Sequence, residues 1–331
     1  MSALQILNGN VIRQISKMVK QIKTGQIVRT VYTSLIAFFL GYLVYSQDTI
    51  LPLWPTDAVP NRIETDESEI LEKGAIQKIS YVQYPQIEVY LPSEANSTGK
   101  AMLIFPGGGY HILAYDWEGI DIAKFLNSIG IAGIVVKYRL PVSKSLVNNQ
   151  FVPLQDAQRA MRLTRYMAKT WNINDKKIGI IGFSAGGHLA STLGTHFDEE
   201  VYKYVDGADL LSARPDFMAL VYPVITFSSS SMHSGSKKAL LGDEPDSESI
   251  TYFSNELQVS EKTPPTILFH AADDKSVSPE NSLLFFQALN QKGVAAELHI
   301  YPEGGHGFSL ATKNPSLSRW THQLYEWTLR L

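Results

Sequence analysis

From residue 79 onward, short apolar runs alternate with longer stretches in which apolar residues recur every three or four positions. The short runs have the length of buried strands, and the longer stretches have the period of amphipathic helices. Such alternation is typical of a mostly parallel sheet with helices on both faces. It predicts an α/β protein with eight strands, over 79–84, 87–91, 100–105, 131–140, 177–183, 217–225, 266–271 and 296–302. Helices are predicted over 117–128, 153–171, 280–292 and 317–330 and directly after residue 183, and the first two strands are expected to pair as an edge hairpin.

Two segments, one before this alternation and one within it, do not follow it. Residues 47–78 are polar and contain several prolines, so we expect a leader that lies over the surface of the domain. Residues 226–262 are rich in serine and offer only short helical stretches. This second segment is predicted to be a small lid-like excursion between two strands, with a plain surface loop as the alternative.

The N-terminal segment differs from the rest in charge. Residues 1–47 contain five lysines and arginines and no acidic residue, and an apolar run follows over 31–45. The run is shorter than the roughly 20 residues that span a membrane and fits the apolar region of a secretory signal. We therefore expect residues 1–46 to be a signal peptide or an N-terminal membrane anchor and residues 47–331 to be the catalytic domain. The protein is then exported, to the periplasm or the extracellular space.

Composition excludes several classes of function. The net charge is −3 and the isoelectric point about 6.2, so no basic surface for nucleic acid is expected. The chain has no cysteine, which excludes disulfides, thiolate metal sites and a cysteine nucleophile.

The first candidate for a reactive residue lies in Gly182-Phe183-Ser184-Ala185-Gly186, which is a G-x-S-x-G sequence between a predicted strand and a predicted helix. A serine can be exposed at the top of a sheet when the chain turns sharply, and such a turn leaves no room for side chains two positions away on either side. Ser184 is therefore the candidate nucleophile. A simple glycine-serine turn is the alternative.

A serine nucleophile needs a base and an acid that orients the base. On this kind of sheet they follow in the order serine, acid, histidine, each after a later strand. Asp273 and Asp274 follow the strand over 266–271, and His306 lies between glycines after the strand over 296–302. His188 is one helical turn after the serine, so we expect it to pack beneath the turn. No metal site is predicted, because the histidines and carboxylates have no metal-binding spacing.

An oxyanion produced by acyl transfer needs backbone donors. Ala185 N–H follows the nucleophile, and the loop Pro106-Gly107-Gly108-Gly109 after a buried strand can supply others. The predicted oxyanion hole is Gly108, Gly109 and Ala185. Residues predicted to line the substrate pocket are Tyr110, Glu118 and Tyr222.

These motifs and the stretches around them carry a family resemblance, among them FPGGGY, DAQRAMRLTR, IGFSAGGHLAS, RPDFMALVYPVI and ELHIYPEGGHGF. Over about residues 50–331 the chain resembles the bacterial acetylxylan-esterase-like α/β-hydrolases, a group near the feruloyl esterases. The resemblance implies an α/β-hydrolase fold and an exported serine esterase that removes acetyl groups from plant or algal polysaccharides. It also places the catalytic acid at the aspartate of D-x-x-V, which here is Asp274 rather than Asp273.

The expected function is thus a serine esterase that deacetylates polysaccharides such as acetylated xylan through an acyl-enzyme, without a cofactor. Alternatives are a general short-chain carboxylesterase, a prolyl-oligopeptidase-like serine peptidase and an inactive carbohydrate-binding protein on the same fold. The expected partner is an acetylated polysaccharide or oligosaccharide. Contact with a membrane is expected if the N-terminal segment is not cleaved.

Overall fold

The computed structural model describes residues 48–331 and, apart from these, Arg13. Eleven strands lie in this part of the chain: β1 (Asp48–Pro52), β2 (Ile70–Lys73), β3 (Gln77–Ser80), β4 (Gln86–Tyr90), β5 (Ala101–Phe105), β6 (Leu113–Ala114), β7 (Ala132–Lys137), β8 (Ile178–Phe183), β9 (Met218–Val221), β10 (Thr266–Ala271) and β11 (Ala296–Tyr301). The predicted signal or anchor over residues 1–46 lies outside the described residues, except for Arg13.

Seven α-helices connect or follow these strands in the described part: α1 (Asp121–Ser128), α2 (Val152–Met167), α3 (Ser184–Thr195), α4 (Ser234–Leu241), α5 (Ser247–Tyr252), α6 (Glu280–Gln291) and α7 (Arg319–Leu329). A π-helical turn, Asp116–Ile120, runs directly into α1. The four helices whose ranges were predicted are present. No helix of the described residues is long and apolar enough to cross a membrane.

Eight strands form the main sheet in the order β1-β4-β7-β5-β8-β9-β10-β11. The first two pairings, β1 with β4 and β4 with β7, are antiparallel, and the remaining five are parallel. Every residue of β5, β7, β8, β9 and β10 is buried, so both faces of the sheet centre are covered. Long apolar runs without polar alternation produce this arrangement. The predicted mostly parallel, eight-stranded α/β sheet is confirmed.

The predicted edge hairpin is wrong. The stretch over 79–84 contributes to β3, which pairs with β2 and β6 in a separate three-stranded sheet, whereas β4 belongs to the main sheet. Tyr81 has a φ of 51°, so the chain leaves the strand direction immediately after β3. Pro85 precedes β4 and has no N–H with which to extend a ladder between the two strands.

The segment over 47–78 is more than a surface leader. Its first residues form β1, which is an edge strand of the eight-stranded main sheet, and Trp54 is buried. The indole of Trp54 donates to Asp156 on α2 at 2.7 Å, and Asp156 also pairs with Arg139 at 2.7 Å. Both charged side chains are almost fully buried. Removing either partner would leave a buried charge and cost about 3–5 kcal/mol, so this group fixes the start of the domain to its core.

The serine-rich excursion over 226–262 contains α4, α5 and a short 3-10 turn, Asn255–Leu257. Both of its ends are held by buried asparagines. Asn281 at the start of α6 accepts from the N–H groups of Ile225 and Thr226, and Asn255 donates to Ser191 Oγ on α3 at 2.7 Å. The excursion is therefore a packed element rather than a plain surface loop, while its role as a lid stays a prediction.

Candidate active site

Ser184 lies at the sharp turn between β8 and α3. Its φ is 52°, a left-handed conformation that costs energy for a residue with a side chain. The flanking glycines explain how the turn fits. A Cβ at Gly182 would lie 2.3 Å from Gly186 O, and a Cβ at Gly186 would lie 2.1 Å from Phe105 O. Side chains are therefore excluded at both positions, and the turn brings the serine to the carboxyl edge of the sheet.

Three side chains form one hydrogen-bonded chain at this edge. Ser184 Oγ lies 2.8 Å from His306 Nε2, and His306 Nδ1 lies 2.6 Å from Asp274 Oδ2. A carboxylate accepts hydrogen bonds, so Nδ1 carries the proton and Nε2 is free to accept the hydrogen of the serine hydroxyl. The arrangement can deprotonate Ser184 and hold the resulting imidazolium against Asp274.

Asp274 is held as a carboxylate by its surroundings. Its Oδ1 accepts from Ser276 N–H and Val277 N–H, both at 2.9 Å. Burial acts to raise the pKa of Asp274, but hydrogen bonds from His270, His306 and Val277 outweigh it and hold that pKa well below its usual value. The acid therefore stays charged whenever His306 takes up a proton.

The neighbouring Asp273 has a different place. It is exposed, and its Oδ1 accepts from Gly304 N–H at 2.9 Å and Gly305 N–H at 2.7 Å. It thus braces the loop that leads to His306 but does not contact the imidazole. Of the two candidate acids, the structure brings Asp274 to the histidine.

The glycine loop after β5 lies directly beside the serine. A Cβ on Gly107 would lie 2.9 Å from Ser184 Cβ. Gly108 has a φ of 132° and Gly109 a φ of 65°, conformations that glycine adopts without strain. In the described chain neither Gly108 N–H nor Gly109 N–H has a hydrogen-bond acceptor. Ala185 is the second residue of α3, so its N–H has no acceptor within the helix. These three groups fit the predicted oxyanion hole.

The three residues predicted to line the substrate pocket are buried instead. Tyr110 is 1% exposed, Glu118 4% and Tyr222 0%. Tyr110 OH bonds to His188 Nδ1, and Tyr222 OH donates to Glu118 Oε1, each at 2.8 Å. A direct contact with substrate does not fit such positions, because each side chain is enclosed and already has internal partners. Glu118 and Tyr222 lie on the protein side of Ser184 and His306. Tyr110 contacts His188 beneath the turn, which is where that histidine was expected.

Sequence reasoning missed two residues at the rim of the site. Trp117 is partly exposed, and its Nε1–H donates to the carbonyl of Gly307, the residue after His306, at 2.9 Å. His233 immediately precedes α4 in the excursion, and its Nδ1 accepts from Ser236 N–H at 3.1 Å. Burial and the nearby His306 lower the pKa of His233. The sequence signal for both was weak, because a tryptophan at a helix start and a histidine in a serine-rich stretch have many ordinary roles.

Within residues 48–331 no group of three or more histidine, aspartate or glutamate side chains is placed to hold a metal ion.

Comparisons with known proteins place the chain in a family. The family model BD-FAE matches residues 87–289. An acetylxylan esterase of Xylanibacter ruminicola is 37% identical over 231 residues, which are 69% of this chain and 44% of that protein. An endo-1,4-beta-xylanase B of Butyrivibrio fibrisolvens is 37% identical over 232 residues, 70% of this chain and 36% of that protein. The match therefore spans less than half the length of these two curated relatives.

A solved structure is similar over most of the chain. The acetyl ester-xyloside bifunctional hydrolase from Caldicellulosiruptor lactoaceticus has a TM-score of 0.73 and 39% sequence identity, and the match covers 85% of this chain and 96% of that one. The family match contains Ser184 and Asp274, while His306 lies beyond it and is placed by the fold. The sheet, the turn and these similarities together show that the chain belongs to the BD-FAE family and has the α/β-hydrolase fold.

Proposed function

We propose that the protein is a serine carboxylic ester hydrolase that removes acetyl groups from polysaccharides such as acetylated xylan. The observation that carries the proposal is the hydrogen-bonded chain from Asp274 through His306 to Ser184, beside backbone N–H groups that have no acceptor among residues 48–331. A nucleophile, its base and an oxyanion site within one small region are the parts that acyl transfer needs.

In the proposed reaction, Ser184 Oγ attacks the acetyl carbonyl while His306 Nε2 takes the hydroxyl proton. Negative charge moves to the carbonyl oxygen, which the N–H groups of Gly108, Gly109 and Ala185 stabilise. The C–O bond to the sugar then breaks, and the imidazolium gives its proton to the departing sugar oxygen. Water repeats the attack on the acetyl-serine with His306 as base, which releases acetate and restores the serine.

The substrate class rests on similarity. The matched relatives are named as an acetylxylan esterase and a xylanase, and the similar structure is named as an acetyl ester-xyloside hydrolase. All three names refer to xylan or a xyloside, and two of them also refer to an acetyl group, so the proposed substrate is acetylated xylan or a fragment of it. Such polysaccharides lie outside the cell, so the proposal includes export, supported by the basic and then apolar sequence of residues 1–45.

The test is acetate release from natively acetylated xylan by the full chain. Ser184→Ala should lower the rate by about 10⁴-fold or more, since no other hydroxyl contacts His306 Nε2 in the described chain. Ser316→Ala, which changes an exposed serine, should have the parent rate.

Three results would overturn the proposal or a part of it. Equal release by the parent and by Ser184→Ala would remove the serine mechanism. If the parent cleaved p-nitrophenyl acetate but released no acetate from xylan, the esterase would stand and the polysaccharide substrate would fall. Cleavage of peptide amides without ester hydrolysis would favour a serine peptidase.

A further inference from the structure

A buried carboxylate links the two loops that act on opposite sides of Ser184. Glu118 lies in the π-helical turn, and its Oε2 accepts from Gly107 N–H at 2.8 Å, at the start of the glycine loop. Its Oε1 accepts from Tyr222 OH at 2.8 Å. The same phenol oxygen accepts from Ser309 N–H at 3.0 Å, three residues after His306. We call this connection, Gly107-Glu118-Tyr222-Ser309, the Glu118 bridge.

The direction of each hydrogen bond fixes the charge of the bridge. Tyr222 OH has one hydrogen, and because its oxygen accepts from Ser309 N–H, that hydrogen goes to Glu118. Gly107 N–H donates to the other carboxylate oxygen, so both oxygens act as acceptors. Burial raises the pKa of Glu118 above its usual value, although the hydrogen bonds from Tyr222 and Gly107 and the nearby His306 act in the opposite direction. The pattern of donors is that of an ionised carboxylate.

The bridge lies immediately behind the nucleophile. A Cβ on Gly107 would meet Glu118 Oε2 at 2.7 Å and Ser184 Cβ at 2.9 Å, so carboxylate, loop and serine share one small volume. The ring of Tyr222 lies edge-on to the ring of His306, with centroids 5.0 Å apart. Tyr222 also adopts a φ of 39°, which costs energy and persists where surrounding contacts hold it.

We propose that Glu118 is a positioning residue of the ester hydrolysis: through Gly107 it sets the oxyanion loop, through Tyr222 it sets the His306 loop, and its fixed charge favours the imidazolium that forms during acyl transfer. This inference rests on the proposed function. A loop held by a charged acceptor needs no reorganisation when the oxyanion forms, and such preorganisation is a main source of catalysis.

Other groups around His306 share in its electrostatics and define the controls. Asp274 faces the imidazole from the loop after β10, with His270 behind it. His233, in the excursion, interacts with it electrostatically, and the ring of Tyr222 packs against it from the end of β9. Changes in Glu118 and Tyr222 alter the bridge, while the hydrogen bond from His306 to Asp274 and the one from Ser184 to His306 stay in place.

The first test is Glu118→Gln, measured with p-nitrophenyl acetate across pH 4–9. Glutamine keeps the shape but removes the charge and presents an amide N–H₂ to one of two donors. We expect kcat to fall about 10²-fold with KM nearly unchanged, as when one oxyanion contact is lost. The acidic limb of the kcat/KM profile should move to lower pH by about half a unit or more, because the protonated imidazole loses a neighbouring anion.

The second test is Tyr222→Phe, which keeps the ring against His306 and removes the hydroxyl. The hydrogen bond from Ser309 N–H to the phenol oxygen is lost, and kcat should fall about tenfold. Without the phenol hydrogen bond, Glu118 takes up a proton at higher pH, so the acidic limb should move to higher pH, opposite to Glu118→Gln. Glu303→Gln, which removes an exposed carboxylate from the His306 loop, should leave both kcat and the profile unchanged.

If Glu118 had only a structural role, Glu118→Gln would lower the melting temperature without moving the pH profile of kcat/KM. An unchanged pH profile in both variants would overturn the proposal. If Glu118→Gln did not fold, Tyr222→Phe would decide by the direction of its shift. A parent that cleaved no ester would instead refute the proposed function, so the two failures are distinguishable.

Discussion

Two histidines near Ser184 each lie in the middle of a hydrogen-bonded chain of three groups, but the two chains differ in the charge of the groups at their ends. In the outer chain, Asp274 accepts from His306, whose other nitrogen meets Ser184 Oγ. In the inner chain, Tyr110 OH bonds to His188 Nδ1 at 2.8 Å and His188 Nε2 to the carbonyl of Phe253 at 2.8 Å. The carbonyl can only accept, so His188 carries its proton on Nε2 and accepts from Tyr110. Each imidazole thus has one donor and one acceptor contact.

The difference lies at the ends of the chains. The outer chain ends at a carboxylate, which compensates a positive imidazole, and His306 is partly exposed. The inner chain ends at a neutral phenol and a neutral carbonyl, and His188 is completely buried against the ring of Phe227. Burial lowers the pKa of His188 from 6.5 to about 4. The group at the end of the hydrogen-bonded chain therefore decides whether a histidine can take up a proton as a base or stays neutral as part of the packed core.

The strongest way to break this contrast is Asp274→Asn, which makes the end of the outer chain neutral, like the ends of the inner one. The asparagine can hold the wrong tautomer of His306 and cannot compensate the imidazolium, so kcat should fall about 10⁴-fold. Steady-state ester hydrolysis measures it. Asp273→Asn, which alters the exposed carboxylate of the His306 loop, should cost less than tenfold. Similar losses in the two variants would mean that the charge at position 274 has no special role.

The outer chain was predictable from sequence, whereas most of the inner one was not. Ser184, the pair Asp273 and Asp274, and the glycine-flanked His306 each follow a strand, and the order of strands brings them to one edge of the sheet. The family resemblance, rather than the spacing, indicates Asp274 over Asp273. No comparable rule pairs Tyr110 with His188, because their contact depends on how the glycine loop packs over α3. The same holds for Glu118 and Tyr222, whose polar side chains were expected to face substrate and are enclosed instead.

The sheet shows the same division between local pattern and distant pairing. The buried parallel strands have continuous apolar runs that only a covered sheet accommodates, and their prediction is confirmed. The edge could not be predicted in this way, because β1 and β3 are partly polar and their pairing depends on distant partners. Trp54 and Asp156 illustrate the point, since they join across more than a hundred residues of sequence.

A second prediction sharpens the contrast through pH. The pKa of His188 is lower in the folded protein than its ordinary 6.5, so the unfolded chain binds more protons between about pH 4 and 6.5. Stability from this group is complete above pH 6.5 and is lost as the pH falls toward 4, by about 2 kcal/mol between pH 7 and 5. Urea unfolding at several pH values measures the slope. His188→Gln should remove that part of it, and an unchanged slope would show that His188 is not kept neutral by burial.

The smallest expected effect on kcat comes from Tyr110→Phe, which removes the hydroxyl at one end of the inner chain. His188 Nδ1 then loses its donor inside the core, and an unsatisfied buried acceptor costs about 1–3 kcal/mol. The outer chain is untouched, so the free energy of unfolding should fall while kcat changes less than threefold. Tyr204→Phe, at a tyrosine that is 62% exposed, is the matched control and should leave stability within about 0.5 kcal/mol. A large loss of kcat without loss of stability would mean that the inner chain takes part in catalysis and that the two histidines are less separate than their surroundings indicate.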